Sequence, residues 1–208
     1  LNFEVQSFDD GQLRTNTLVD NSNANSRFGF YIEPIEGDKG LSFQFETGLG
    51  FRPSTKTSQI NTPKFLDWNR TDLRQVQLIF KSRFGTIRLG QGSMPLDGAA
   101  ESDLGGTVVV AKSTIPEANA SYILRTVGGA LSQVSIGETF DNFDGARRFR
   151  VRFDTPTVSG FSLAVAYGKE VLKTGNDDDF YGATLRYSQD FARLNFAAAL
   201  GTSFERGQ

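Results

Sequence analysis

Apolar and polar residues alternate with a period of two along most of the chain. Leu1, Phe3 and Val5 interleave with Asn2, Glu4 and Gln6, and Phe28, Phe30 and Ile32 with Arg27, Gly29 and Tyr31. Leu41, Phe43, Phe45, Leu49 and Phe51 share one parity, opposite Ser42, Gln44, Glu46, Gly48 and Gly50. The pattern continues through 73–80, 86–90, 148–153, 161–168, 181–187 and 193–200. Successive side chains of a strand point to opposite faces, so the alternation predicts nine strands, each apolar on one side.

The connections alternate too. Long polar stretches at 9–25, 52–72, 91–147 and 169–179 take turns with short ones at 33–40, 81–85, 154–160 and 188–190. In an antiparallel meander this gathers all the long loops on one rim, as in transmembrane β-barrels. A soluble sandwich or a lipocalin-like barrel also alternates. Its filled interior, however, has no room for the three same-parity guanidinium groups of Arg148, Arg150 and Arg152, which a water-filled lumen accommodates.

Composition narrows the chemistry. The 208 residues contain no Cys and no His, so a Cys/His zinc site, a Ser-His-Asp triad, a thiol nucleophile and a disulfide framework are all excluded. The net charge of -2 carries no basic excess for nucleic acid. No apolar run approaches the ~18 residues of a membrane helix, whereas a barrel strand crosses with about 9–11 residues. Nine strands do not close an even-numbered barrel, and a channel of about 16 strands at this spacing needs roughly 370 residues. The chain is therefore expected to be the N-terminal part of a single barrel domain running through 1–208, with 202–208 opening a loop.

Three segments in order carry a family resemblance: Ser26-Arg27-Phe28-Gly29-Phe30; Phe84-Gly85-Thr86-Ile87-Arg88-Leu89-Gly90; and Arg152-Phe153-Asp154-Thr155-Pro156 followed by Gly160-Phe161. They resemble the second, fifth and sixth strands of the general bacterial porins. The loop lengths and Asp103-Leu104-Gly105-Gly106 are similar to alphaproteobacterial members. The resemblance implies a sixteen-stranded, trimeric outer-membrane barrel for passive diffusion of ions and small hydrophilic solutes. It also implies that the third long loop, about 91–147, folds inward to narrow the pore. A solute-selective porin for sugars or phosphate is the nearest alternative, but the polar faces carry almost no aromatic residues beyond Tyr31.

The resemblance implies a constriction with a basic wall and an acidic loop. Arg27, Arg88 and Arg152 have polar-face parity, and Arg148 and Arg150 flank on the same strand. Arg74 matches by its spacing to Phe84-Gly85, yet shares the outward parity of Val76, Leu78 and Phe80. A β-bulge, a place at the trimer contact, or a role outside the pore would each account for it. The loop supplies Asp97, Glu101 and Asp103. No catalytic role and no cofactor are expected. Asp177, Asp178 and Asp179 after Asn176 could hold a divalent cation such as calcium against lipopolysaccharide phosphates, although such runs are usually solvated loop tips.

Overall fold

The computed structural model describes residues 1–34, 39–100, 115–140, 145–176, 178–192 and 194–207. Among these there is no α-helix and there are twelve strands. They are β1 (Phe3–Asp9), β2 (Arg14–Asp20), β3 (Arg27–Ile32), β4 (Gly40–Gly48), β5 (Leu73–Ser82), β6 (Gly85–Ser93), β7 (Ile123–Arg125), β8 (Leu131–Ser135), β9 (Arg147–Asp154), β10 (Phe161–Lys169), β11 (Asp179–Phe191) and β12 (Leu194–Arg206). Eight form one sheet in the order β12-β11-β10-β9-β6-β5-β4-β3; β1-β2 and β7-β8 are separate two-stranded ladders. The pairs β1-β2, β4-β5, β5-β6, β6-β9, β9-β10, β10-β11, β11-β12 and β7-β8 are antiparallel. The described residues fall into two compact units, one of 1–28, 48–72 and 109–142, the other of 29–47, 73–108 and 143–208.

The eight sheet strands are those that alternation predicts from Phe28 onward, with some boundaries shifted and further strands outside the sheet. The stretch 9–25 is not one loop: Asp9 to Arg14 is a tight turn, and β2 runs back along β1 from Phe3↔Asp20 to Asp9↔Arg14. Alternation in Thr15–Val19 is weak because Thr and Asn occupy it, which hides a strand that has good β-propensity. The third predicted strand stops at Gly48, so Leu49 and Phe51 leave its face; the Phe51 ring packs instead between Phe3 at 4.9 Å and Phe65 at 5.6 Å. The turn expected at 188–190 lies at Ala192, and 202–206 continue β12 where a loop was expected. β7 and β8 are further strands inside the third long loop.

Burial in the eight-stranded sheet is inverted relative to a water-soluble core. Phe28, Leu41, Leu78, Phe80, Phe149, Val151, Phe161, Leu163, Val165, Leu194 and Leu200 are exposed. On the opposite parity Ser42, Gln77, Arg150 and Thr184 are buried, with Ile79 as an apolar member. Phe43 and Phe45 are half-buried because the Phe30 ring lies against both, at 6.0 and 5.3 Å. Exposing this many large apolar side chains to water forfeits ~25 cal/mol for each Å² of apolar surface, a loss that disappears in hydrocarbon. The sheet is therefore built to face lipid on one side and polar surroundings on the other.

The first unit has a conventional core. Val19 and Tyr122 are fully buried; the Tyr122 ring rests on Phe8 at 3.9 Å, and its hydroxyl meets Thr15 Oγ1 at 3.0 Å and donates to Gln6 Oε1 at 3.4 Å. Gln59 mimics a strand neighbour, donating to the Ile123 carbonyl at 2.7 Å and accepting from its N–H at 3.0 Å. At the β1–β2 turn, Arg125 reaches Asp10 at 2.8 Å, and the turn amides of Gln12 and Leu13 also donate to Asp10. Stabilised by Arg125 first and these amides second, the Asp10 carboxyl titrates well below the usual carboxylate range.

Candidate functional site: an arginine-lined sheet face

The site begins with parity. Arg148, Arg150 and Arg152 alternate with Phe149, Val151 and Phe153 along β9, and the register places Arg152 beside Arg88 and Arg150 beside Gly90. One face of the sheet thus collects these four arginines, joined by Arg186 of β11. Like charges this close need partners, and the fold supplies them unequally. Asp154 takes Arg152 Nη2 at 2.6 Å and Arg88 Nε at 3.2 Å, so one carboxylate serves two guanidinium groups. Arg148 reaches Glu170 at 3.4 Å and lies over the Phe180 ring at 3.9 Å, a cation–π distance.

Arg150 is different in kind. It is 2% exposed and donates from all three nitrogens: Nε to the Ser93 carbonyl at 3.1 Å, Nη1 to the Gly90 carbonyl at 2.7 Å and Nη2 to Gln77 Oε1 at 2.7 Å. Gln77 in turn donates to Gln44 and Gln75, both at 2.8 Å. Neighbouring glycines on this face leave room for the Arg150 side chain. A Cβ on Gly92 would stand 2.7 Å from Arg150 Nη2, and one on Gly168 would stand 2.8 Å from Arg150 Cβ.

Arg74 sits at a register shift. Gln75 pairs with Glu46 and Leu73 with Thr47, which leaves Arg74 as the extra residue of a β-bulge. The bulge explains the conflict between its spacing and its parity. Its Nε meets Glu46 Oε1 at 2.6 Å, and Glu46 shares the parity of Ser42 and Gln44. Arg27 belongs to the first compact unit, where its Nε donates to the Asn25 carbonyl at 3.1 Å.

The third loop leaves β6 across this same face. Arg152 Nη1 donates to the carbonyls of Ser93 and Met94, both at 3.2 Å. Arg186 Nη2 donates to those of Pro95 at 3.1 Å and Asp97 at 3.0 Å. Asp97 therefore meets the arginines through its backbone. Glu101 and Asp103 lie outside the described residues. Reasoning from sequence missed Arg186 and Asp154 as members of the site; parity places both on the polar face, but nothing in a strand pattern tells which lumen residues touch a loop. Of the acidic run, Asp177 is outside the described residues, and Asp179 is held by the Tyr167 hydroxyl at 2.8 Å and Lys169 at 3.2 Å. Among the described residues no cluster of His, Cys, Asp or Glu could hold a metal ion.

A lipid-facing apolar side and an arginine-lined polar side, crossed by residues 93–97, together define a porin-type partial β-barrel. Residues 1–207 match the Gram-negative porin family, and the chain belongs to that family, whose members reside in the bacterial outer membrane. Among solved structures it is similar to an anion-selective porin from Comamonas acidovorans, with 15% identity and a TM-score of 0.51 over 97% of this chain. The chain spans 55% of the length of that porin. No curated protein matches it by sequence.

Proposed function

We propose that the protein forms a water-filled diffusion channel for ions and small hydrophilic solutes, as a sixteen-stranded barrel assembled into homotrimers in contact with lipopolysaccharide. The inverted burial of the eight-stranded sheet carries this reading, because it pairs a lipid-facing surface with a charged, hydrated one. Residues 1–208 belong to one barrel domain in it, and the loop lengths and Asp103-Leu104-Gly105-Gly106 support a place among the alphaproteobacterial members.

The pore is narrowed where Arg88, Arg148, Arg150 and Arg152, with Arg74 and Arg27, face the third loop and its acids Asp97, Glu101 and Asp103. Fixed charges lining a narrow aqueous path set ion preference. On the described face Arg88, Arg148, Arg150, Arg152 and Arg186 outnumber Asp154 and Glu170, which supports a field that favours anions. The test is reconstitution of the full-length protein in planar bilayers. Stepwise, ohmic conductance with a reversal potential on the anion side of a salt gradient is expected. Absence of channels from folded, heat-modifiable protein would overturn the proposal.

A further inference from the structure

The polar face contains a seat as well as a charge array. Over the five residues from Ser93 to Asp97, the chain crosses from β6 to β11 and β12. Four of its carbonyls, those of Ser93, Met94, Pro95 and Asp97, accept from Arg152 or Arg186. The floor beneath it is glycine. A Cβ on Gly182 would stand 3.1 Å from Pro95 Cδ, and one on Gly201 would stand 2.8 Å from Leu96 Cδ1. Gly145 closes the far end of the loop in the same way, since a Cβ there would lie 2.5 Å from the Asp97 nitrogen. The Met94 amide donates to the Ala146 carbonyl at 3.1 Å and ties the two ends of the loop together.

From this geometry we infer that Arg186 is a positioning residue: with the glycine floor of Gly182 and Gly201, it clamps residues 95–97 against the wall, just beyond the Ser93 and Met94 carbonyls that Arg152 holds, and thereby fixes where the third loop leaves the sheet. A carbonyl is the negative end of a dipole, and a guanidinium that satisfies two of them holds backbone regardless of the side chains in between. The glycines allow the backbone to approach the sheet more closely than any side chain would permit. The ion preference of the channel is then set partly by loop position, so Arg186 contributes through placement and not only through its charge. This rests on the channel reading of the preceding subsection.

The experiment separates placement from charge. Arg186→Gln removes the clamp and one charge, whereas Gly182→Val removes no charge and pushes on Pro95. Both are compared with wild type in the full-length protein for single-channel conductance and reversal potential. Ala99→Cys is added to each as a position reporter, read by its rate of reaction with a small water-soluble thiol reagent; Ala99 already closes a turn with Leu96 at 2.8 Å. The expected result is at least a threefold change in thiol reactivity in both variants, with conductance changed in both. The double variant should change little beyond either single one. Gly182→Ala replaces Gly182→Val if the latter fails to assemble. Unchanged thiol reactivity in Arg186→Gln would overturn the inference, as would a conductance change confined to the charge-removing variant. Wild-type protein without conductance would instead sink the channel reading, while the thiol rates would still test the clamp.

Discussion

Within the basic wall, Arg150 should act as a structural strut as well as a source of charge, unlike a freely solvated arginine. In Arg150→Ala three acceptors, the carbonyls of Gly90 and Ser93 and Gln77 Oε1, lose their donor in a place that is 2% exposed. An unsatisfied buried polar group costs ~1–3 kcal/mol, so the three together cost about 3 kcal/mol even at the lower end. Arg88→Ala is the matched control. Its side chain is 30% exposed and its partner Asp154 keeps Arg152, so its loss stays below ~1 kcal/mol. Urea unfolding of the full-length protein in detergent, followed by circular dichroism, measures both. The expected outcome is a large drop in midpoint for Arg150→Ala and a small one for Arg88→Ala. Gly92→Ala should reproduce part of the Arg150 defect, because its new methyl would lie 2.7 Å from Arg150 Nη2. If Arg150→Ala unfolded like wild type yet moved the reversal potential as far as Arg88→Ala, Arg150 would be an ordinary lumen charge and the reasoning would fail.

Arg88→Ala combined with Arg152→Ala should shift the reversal potential towards cations and raise conductance; an unchanged potential would remove both from the constriction. Phe45→Arg places a cation on the apolar face beside Phe30, costing about 2–4 kcal/mol at the bilayer midplane. It should lower the yield of heat-resistant assembled protein while leaving the selectivity of surviving channels unchanged, and normal assembly with altered selectivity would reverse the facing of β4. Asp10 is held below its ordinary range by Arg125, so its contribution is complete above the unfolded value near pH ~4 and is lost as pH falls through the depressed folded value. Protection factors of the β1–β2 turn amides against hydrogen exchange, taken relative to the intrinsic rate at each pH, should therefore fall on acidification below about pH 4 in the native protein, and Asp10→Asn should flatten that dependence.

How far the sequence reaches is visible in single residues. Phe161, Leu163 and Val165 could be assigned to the lipid side from the alternation alone, since pleating is local and needs no partner. The same rule placed Arg88, Arg148, Arg150 and Arg152 on the opposite side. It failed at Arg74, because one extra residue in a bulge reverses facing without leaving a mark in the composition. It also failed at β2, where Thr and Asn blur the alternation and pairing with β1 decides the conformation.

The chain's own pattern thus determined the class of fold, the lipid-facing surface and the polar face on which the arginines stand, all consequences of a two-residue period. Tertiary structure alone decided which arginine is buried, which shares a carboxylate and which grips a loop. Arg150 meets Gly90 sixty positions away, and Arg186 meets Pro95 across ninety-one. Such partnerships depend on strand order, register and the glycines that make room for them, and no local period encodes those.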